Sequence, residues 1–165
     1  MENSKTVEIL KMAILMEKRG QAFYNQVAKQ TNSTEVKKVF EIMAKEEVIH
    51  EKFLSEQFAL LHKNNKLSEI IFPKAKGFED VILTKKLKNE ISAASFEAAA
   101  ISAAIDMENN AIKIYSDRAS LATDKNEKDL FNWLANWEKT HHEILIHIDN
   151  ELKESVWYDN QFWPF

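Results

Sequence analysis

An internal repeat constrains the fold of this 165-residue chain more than any other feature of its sequence. Residues 4–54 align with residues 95–145 at a constant offset of 91 without a gap, and 13 of the 51 aligned positions are identical. Four of the identical pairs are polar or aromatic residues that reappear together in both copies: Glu17 and Glu108, Tyr24 and Tyr115, Glu47 and Glu138, His50 and His141. The repeat predicts that the chain is built from two copies of one structural unit.

The composition indicates that each unit is helical. Only two glycines and two prolines occur in the whole chain, which leaves few residues for the tight turns of an all-β protein. Good helix formers dominate instead. Four long helices are predicted, with boundaries near Asn3 or Ser4 to Lys29, Asn32 to Lys63, Ser95 to Leu121, and Asp124 to Glu154. Asn32 with Glu35 and Asp124 with Glu127 have the spacing of N-terminal capping boxes.

A long connection separates the second predicted helix from the third. It spans residues 64–94, contains Pro73 and Gly77, and includes a predicted short helix over residues 78–89. Such a connection is long enough to run the length of a helical bundle. The predicted fold is therefore all-α, a four-helix bundle over residues 1–154. Its hairpins cover residues 4–63 and 95–154, with a crossover between helices 2 and 3 and an aromatic tail over residues 155–165.

Charge and hydropathy exclude several partners. The net charge is −4, and the basic residues are scattered rather than clustered, so no nucleic-acid partner is expected. No apolar run approaches the ~18 residues of a membrane-spanning helix, and the N-terminus lacks the pattern of a signal peptide. The absence of cysteine excludes disulfides and a Cys₄ iron site within these residues. We therefore expect a cytoplasmic protein without a membrane partner.

The repeated polar residues occupy positions at which a bundle buries apolar side chains. Heptad spacing puts them on the same helix seams as leucine and phenylalanine, so that every seam has a glutamate near its middle and two seams add a histidine one turn later. Four buried carboxylates without positive partners would each cost several kcal/mol. Two divalent cations would balance their charge of −4. A buried ion-pair network without metal is the alternative, but no lysine or arginine falls on the seams near them.

Four sequence segments carry a resemblance to a known family. They are "LMEKRGQAFY", "KEEVIHEKFL", "DMENNAIKIY" and "NWEKTHHEIL". Their order and ligand spacing resemble the rubrerythrin branch of the ferritin-like superfamily, in which two helices each supply a glutamate and two each supply a Glu-x-x-His motif. The resemblance implies a pair of iron ions, Fe²⁺ or Fe³⁺, for which Mn or Zn could substitute.

The resemblance also implies a role for each repeated residue. Glu47 and Glu138 would bridge the two metal ions, and Glu17 and Glu108 would be terminal ligands. His50 and His141 would each supply one imidazole nitrogen, and no catalytic residue is expected beyond these ligands. In the family, tyrosines equivalent to Tyr24 and Tyr115 donate hydrogen bonds to ligand carboxylates from another helix. The alternative is that both are plain core tyrosines.

The activity implied by the resemblance is that of an oxidoreductase that reduces hydrogen peroxide or dioxygen in oxidative-stress defence. Typical rubrerythrins have an additional glutamate where this sequence has Ala111, and they usually carry a rubredoxin-type domain. We therefore expect a separate electron donor. Two alternatives remain. One is a ferroxidase or iron-handling protein, and the other is an interaction protein in which the metal only stabilises the fold. Gly20 and Ala111 are expected to leave space for a small oxidant beside the ligands.

Aromatic residues outside the predicted ligand set are expected to have packing roles. Trp133 and Trp137 flank the seam of the fourth helix and are expected to be packing residues rather than redox relays. The tail contains five aromatic residues: Trp157, Tyr158, Phe162, Trp163 and Phe165. We expect it to fold back over its own bundle or across the partner in a homodimer, in preference to docking on a different protein.

Overall fold

Four helices make up almost all of the described structure. The computed structural model describes residues 2–64, 67, 71–73 and 96–159, with no side-chain description for residues 2–4 and 155–159. The helices are α1 (Glu2–Gln30), α2 (Thr34–Asn64), α3 (Phe96–Leu121) and α4 (Lys125–Asp159). No strand occurs in these ranges. The prediction of an all-α fold is confirmed, and no helix among the described residues has the length and apolarity needed to cross a membrane.

The helices pack as two antiparallel hairpins, α1 against α2 and α3 against α4, and α1 also contacts α3. The first turns of α2 and α3 lie at the same end of the bundle, because Val36 and Ala100 belong to one buried cluster. The last turns of both helices meet at the other end, where Leu61 and Ala119 belong to a second cluster. The end of α2 and the start of α3 therefore lie at opposite ends of the bundle, which is the placement that the predicted crossover requires. The short helix predicted over residues 78–89 lies outside the described residues.

The hydrophobic core is divided into two clusters along the bundle axis. One cluster surrounds Tyr24 and Phe40, and the other surrounds Tyr115 and Phe131. Both clusters include residues from all four helices. The repeated glutamates and histidines lie between them in sequence on every helix, so that the bundle has a polar layer with an apolar layer on each side.

Several predicted helix boundaries need correction. The first helix begins at Glu2, before the predicted caps at positions 3 and 4. The second helix is capped by Ser33 rather than Asn32, because the backbone N–H of Val36 donates to Ser33 Oγ at 3.2 Å. The cap at Asp124 is confirmed, with Glu127 N–H donating to Asp124 Oδ1 at 2.9 Å.

The fourth helix extends beyond its predicted end. It continues past Glu154 to Asp159, so the first five residues of the predicted tail are helical. The continuing heptad pattern explains part of this extension, since Ile148 and Leu152 are both buried. Residues 160–165 lie outside the described residues, and the predicted packing of the aromatic tail stays a prediction.

Candidate metal centre

Six buried side chains of the central layer converge from all four helices. Each is at most 4% exposed. They are Glu17 from α1, Glu47 and His50 from α2, Glu108 from α3, and Glu138 and His141 from α4. These are the six residues that the sequence singled out as candidate ligands. Helical periodicity explains the convergence, because each residue continues a seam whose flanking apolar members are buried in the two core clusters.

Within the layer, the six residues form two overlapping groups with the arrangement of a metal site. One group contains Glu17, Glu47, His50 and Glu138, and the other contains Glu47, Glu108, Glu138 and His141. In each group, one candidate ligand atom from every residue lies within 4.8 Å of all the others. Glu47 and Glu138 belong to both groups. Two adjacent positions that share two carboxylates are therefore available to metal ions.

Both imidazole rings direct Nδ1 towards the carboxylates. His50 Nδ1 lies 3.0 Å from Glu17 Oε2 and 3.1 Å from Glu138 Oε1. His141 Nδ1 lies 3.1 Å from Glu138 Oε2 and 3.4 Å from Glu108 Oε1. The two rings are stacked at a centroid separation of 6.0 Å. Each histidine thus offers one nitrogen to the central space and directs the other outwards.

The proximity of four carboxylates perturbs their protonation. Burial raises the pKa of Glu17, and the nearby charges of Glu47 and Glu138 add to this effect. Burial, reinforced by the charge of Glu138, raises the pKa of Glu108 to about 8. Burial also acts to raise the pKa of Glu47, but hydrogen bonds from Glu17 and the imidazoles outweigh it and lower that pKa. The layer is therefore a coupled set in which some carboxylates hold protons when metal is absent.

Burial and neighbouring groups also act in opposite directions on the pKa values of Glu138 and the two histidines. Burial would raise the pKa of Glu138, yet the two imidazoles lower it overall. Burial would lower the pKa of His50, but the negative charge of Glu138 and the close approach of the Glu17 and Glu47 carboxylates raise it. Hydrogen bonds to glutamates raise the pKa of His141 in the same way. Negative charge in excess of positive charge thus dominates the electrostatics of this layer.

The residues present fit a pair of divalent metal ions. Both carboxylate oxygens of Glu138 are buried without a hydrogen-bond donor among the described residues. Among the described residues, no lysine or arginine nitrogen forms an ion pair with any of the four central glutamates. Buried carboxylate oxygens without donors need a cation or protons. Four carboxylates and two imidazoles form a mixed oxygen and nitrogen donor set suited to Fe²⁺ or Mn²⁺.

Two tyrosines hold the outer carboxylates across the interface between α1 and α3. The Tyr24 hydroxyl donates to Glu108 Oε1, and the Tyr115 hydroxyl donates to Glu17 Oε1. Burial raises the pKa of both phenols well above the usual value, so both remain donors. Each tyrosine therefore contacts a glutamate of the other hairpin, as the resemblance implied, and neither is a plain core residue.

A cavity of about 210 Å³ adjoins the central layer between α1 and α3. Its lining includes Gly20, Ala111 and all four central glutamates. A Cβ added at Gly20 would lie 3.4 Å from Glu47 Cδ, so the glycine keeps this side of the carboxylate accessible. The space that the sequence predicted beside Gly20 and Ala111 is therefore present.

Glu46 is a central residue that the sequence interpretation missed. It is 3% exposed, and its Oε2 accepts hydrogen bonds from Trp137 Nε1 at 2.7 Å and from the His141 ring at Nε2, 2.8 Å away. Trp137 was expected only to pack, and it also makes this polar contact. The repeat contained a signal, because the offset of 91 pairs Glu46 with Trp137 and so marks a position where the two copies differ chemically.

Fold and site together define a four-helix bundle with a buried carboxylate and histidine centre that could hold metal ions, the arrangement found in ferritin-like di-metal proteins. A comparison with protein-family models matches residues 8–149 to Rubrerythrin. The match covers most of the chain, which therefore belongs to the rubrerythrin family, and the ferritin-like fold prediction is confirmed. Comparisons with curated proteins and with solved structures gave no match.

Proposed function

We propose that this protein is a di-iron oxidoreductase that reduces hydrogen peroxide, and more slowly dioxygen, as part of oxidative-stress defence. The observation that carries the proposal is the pair of overlapping four-residue groups that share Glu47 and Glu138. Two neighbouring metal positions that share two carboxylates could hold two Fe²⁺ ions, which together can give two electrons. A single Fe²⁺ would give only one on oxidation to Fe³⁺. When bound, a pair of ferrous ions supplies one electron each for the reduction of peroxide to water.

The protein's own residues would bind and orient the metal pair. Glu47 and Glu138 are the proposed bridging ligands, Glu17 and Glu108 the terminal carboxylates, and the Nδ1 atoms of the histidines complete the set. The hydrogen bonds from Tyr24 and Tyr115 fix the orientation of the terminal carboxylates. Manganese or zinc could occupy the same donor set.

The cavity supports a small oxidant as the substrate. Its volume of about 210 Å³ exceeds the roughly 30 Å³ occupied by one water molecule, and it borders Glu17, Glu47, Glu108 and Glu138. Hydrogen peroxide or dioxygen would fit beside the carboxylates with room to spare. The same space is small for a typical organic ligand. Electrons would have to come from a separate donor, and the homodimer and the cytoplasmic location stay predictions of the sequence.

The proposal is tested by loading metal-free protein with Fe²⁺ under anaerobic conditions and mixing it rapidly with either oxidant. We expect about two iron atoms per chain and an absorbance change that is faster with hydrogen peroxide than with dioxygen. Glu138→Gln should reduce both the iron content and the reaction. Glu143→Gln, an exposed change on the same helix, is the matched control. Absence of any iron absorbance change with either oxidant would exclude the redox function.

A ferroxidase or iron-handling function is the second candidate. It is favoured by Ala111, which lines the cavity at the position where typical rubrerythrins have an additional glutamate. This function predicts that dioxygen oxidises the bound iron at least as fast as hydrogen peroxide does. It also predicts that oxidised iron leaves the site, so that repeated additions of Fe²⁺ are consumed beyond two per chain.

A further inference from the structure

One pair of repeat-related positions in the central layer carries different residues whose side chains contact each other. The internal repeat pairs Glu46 of α2 with Trp137 of α4, whereas the six candidate ligands are identical between the copies. These two side chains meet in the bundle, with Trp137 Nε1 donating to Glu46 Oε2 at 2.7 Å. Strict repetition would put the same residue at both positions. The surroundings of the two histidines therefore cannot be equivalent.

The difference is visible at the outward nitrogen of each histidine. His141 Nε2 lies 2.8 Å from Glu46 Oε2. His50 Nε2 is buried and has no hydrogen-bond partner among the described residues. The Trp137 ring packs edge-on against the His50 ring at a centroid distance of 4.6 Å. The His141 imidazole thus contacts a carboxylate through Nε2, whereas the His50 imidazole packs against an indole ring.

This arrangement fixes the tautomer of only one ring. A carboxylate accepts hydrogen bonds, so Glu46 favours the tautomer of His141 that donates through Nε2–H and leaves Nδ1 for a metal ion. In the part of the chain that the structure describes, His50 has no such acceptor at Nε2. Its Nδ1 lies 3.0 Å from Glu17 Oε2, the same kind of contact that His141 Nδ1 makes with Glu138 Oε2 at 3.1 Å. The two rings therefore differ at Nε2 and not at Nδ1: the Glu46 carboxylate holds the His141 ring in the orientation of a ligand, and no described residue does the same for His50.

We propose that the two metal positions are unequal, and that Glu46 is the positioning residue that makes the position at Glu108 and His141 the tighter one. The inference rests on the proposed di-metal site and deepens it by assigning an order of filling. The first ion binds at His141 and the second at His50. Glu46 contacts no metal in this scheme and acts through the imidazole.

The order is tested by anaerobic titration of metal-free protein with Co²⁺, followed by calorimetry and by visible absorption. The wild-type protein should bind two ions in two steps, the first at least ten times tighter than the second. His50→Ala should lose the weaker step and keep the tighter one. His141→Ala should lose the tighter step. Equal affinities for the two ions in the wild-type protein would overturn the inference.

Glu46 variants separate positioning from general stability. Glu46→Ala should weaken the first step by about 10- to 100-fold, the usual effect of losing a hydrogen-bond partner of a ligand, and leave the second step nearly unchanged. Glu46→Gln keeps an acceptor oxygen and should restore part of the loss. Glu143→Ala, an exposed change on α4, should alter neither step. Circular dichroism before titration identifies any variant that fails to fold, and the Gln variant then carries the test.

The outcomes also separate this inference from the proposed function. Binding of fewer than two ions by folded wild-type protein would overturn the di-metal site itself. Binding of two ions, with Glu46→Ala weakening both steps equally or neither step, would leave the di-metal site intact and overturn the assignment to Glu46. A Co²⁺-shifted N–H proton resonance that is present in the wild-type protein and lost in Glu46→Ala would support the His141 tautomer directly.

Discussion

At the scale of the residue, the energetic cost of the central layer depends on whether each buried polar group has a hydrogen-bond partner, a proton or a cation. A glutamate on a buried seam is costly unless it gains a donor, a proton or a cation. The two tyrosines supply donors for Glu17 and Glu108, whereas no described residue supplies one for the oxygens of Glu138. The outer carboxylates are thus held by the protein, and the shared carboxylate remains available to a cation.

The tyrosine contacts predict a measurable effect on stability. Tyr24→Phe leaves Glu108 buried without its hydroxyl donor, which should lower the free energy of unfolding of the metal-free protein by about 1–3 kcal/mol. Tyr115→Phe should have a similar effect through Glu17, because the repeat makes the contacts equivalent. Urea unfolding measures both. Unchanged stability in both variants would contradict the role assigned to these hydroxyls.

The cavity predicts an effect on reactivity without an effect on metal content. Ala111→Leu would fill space beside the central glutamates, so oxidation of the iron-loaded protein by hydrogen peroxide should slow by roughly tenfold, which corresponds to ~1.4 kcal/mol on the barrier. The iron content should remain at the wild-type value. Ala103→Leu, the same change at an exposed position of α3, is the control and should react at the wild-type rate. Rapid mixing measures the rates, and equal rates would exclude this route for the oxidant.

At the scale of the element, the repeat extends to the way in which helices begin. The offset of 91 pairs Ser33 with Asp124, and these two residues cap α2 and α4. The capping-box pattern at Asn32 suggested a start one residue earlier. The repeat was the better guide, because equivalent helices in the two hairpins begin at equivalent positions.

The observed cap predicts a contrast between neighbouring substitutions. Ser33→Ala removes the oxygen that accepts the Val36 N–H and should cost about 1 kcal/mol of stability, within the usual range of 0.5–2 kcal/mol. Asn32→Ala changes an exposed side chain outside the helix and should be close to neutral. Thermal unfolding of the two variants side by side is the measurement. An equal loss in both would restore Asn32 as a contributor to the cap.

At the scale of the whole molecule, two apolar clusters enclose one charged layer, and folding has to bring six ionisable groups together there. Apolar burial on each side stabilises the bundle, while the metal-free layer opposes it. Metal binding should reverse this opposition, because it couples the layer to folding. The stability of the molecule therefore depends on metal and on pH together.

Removal of metal should destabilise the bundle. A ligand at 1,000 times its Kd stabilises the native state by about 4 kcal/mol, which for a chain of this size shifts the melting temperature by roughly 10 °C. We expect a loss of that order when the loaded protein is treated with a chelator. Calorimetry between pH 6 and 8 measures it, with chelator added to already metal-free protein as the control. If the chelator does not lower the melting temperature at any pH in this range, the buried metal site is contradicted.

The metal-free protein should also lose stability as pH rises. Burial raises the pKa of Glu108 to about 8 and raises that of Glu17, so the native state binds more protons than the unfolded state, in which a glutamate titrates near 4.3. The raised pKa values of His50 and His141 act in the same direction. The free energy of unfolding should therefore fall from pH 6 to pH 8. Urea unfolding of metal-free protein tests the sign, and a constant or rising free energy of unfolding would show that the native state holds no additional protons.

The sequence by itself determined the four helices, their duplication and the six residues of the central layer. It could do so because helical periodicity and a constant offset of 91 both act along the chain. The predicted seam residues are buried from Phe40 to Leu54 on α2 for that reason. The cap at Ser33 was missed because neighbouring polar residues offer competing caps that local pattern does not rank.

Only the tertiary structure decided which side chains satisfy one another between helices. The contact of Glu46 with His141 and Trp137 joins residues more than 90 positions apart, and no local pattern encodes it. The cavity beside Gly20 and Ala111 likewise depends on how closely α1 and α3 approach. Periodicity specifies which face of a helix is buried, whereas the relative placement of packed helices specifies what each buried group contacts. The inequivalence of the two halves of the central layer arises at this second level.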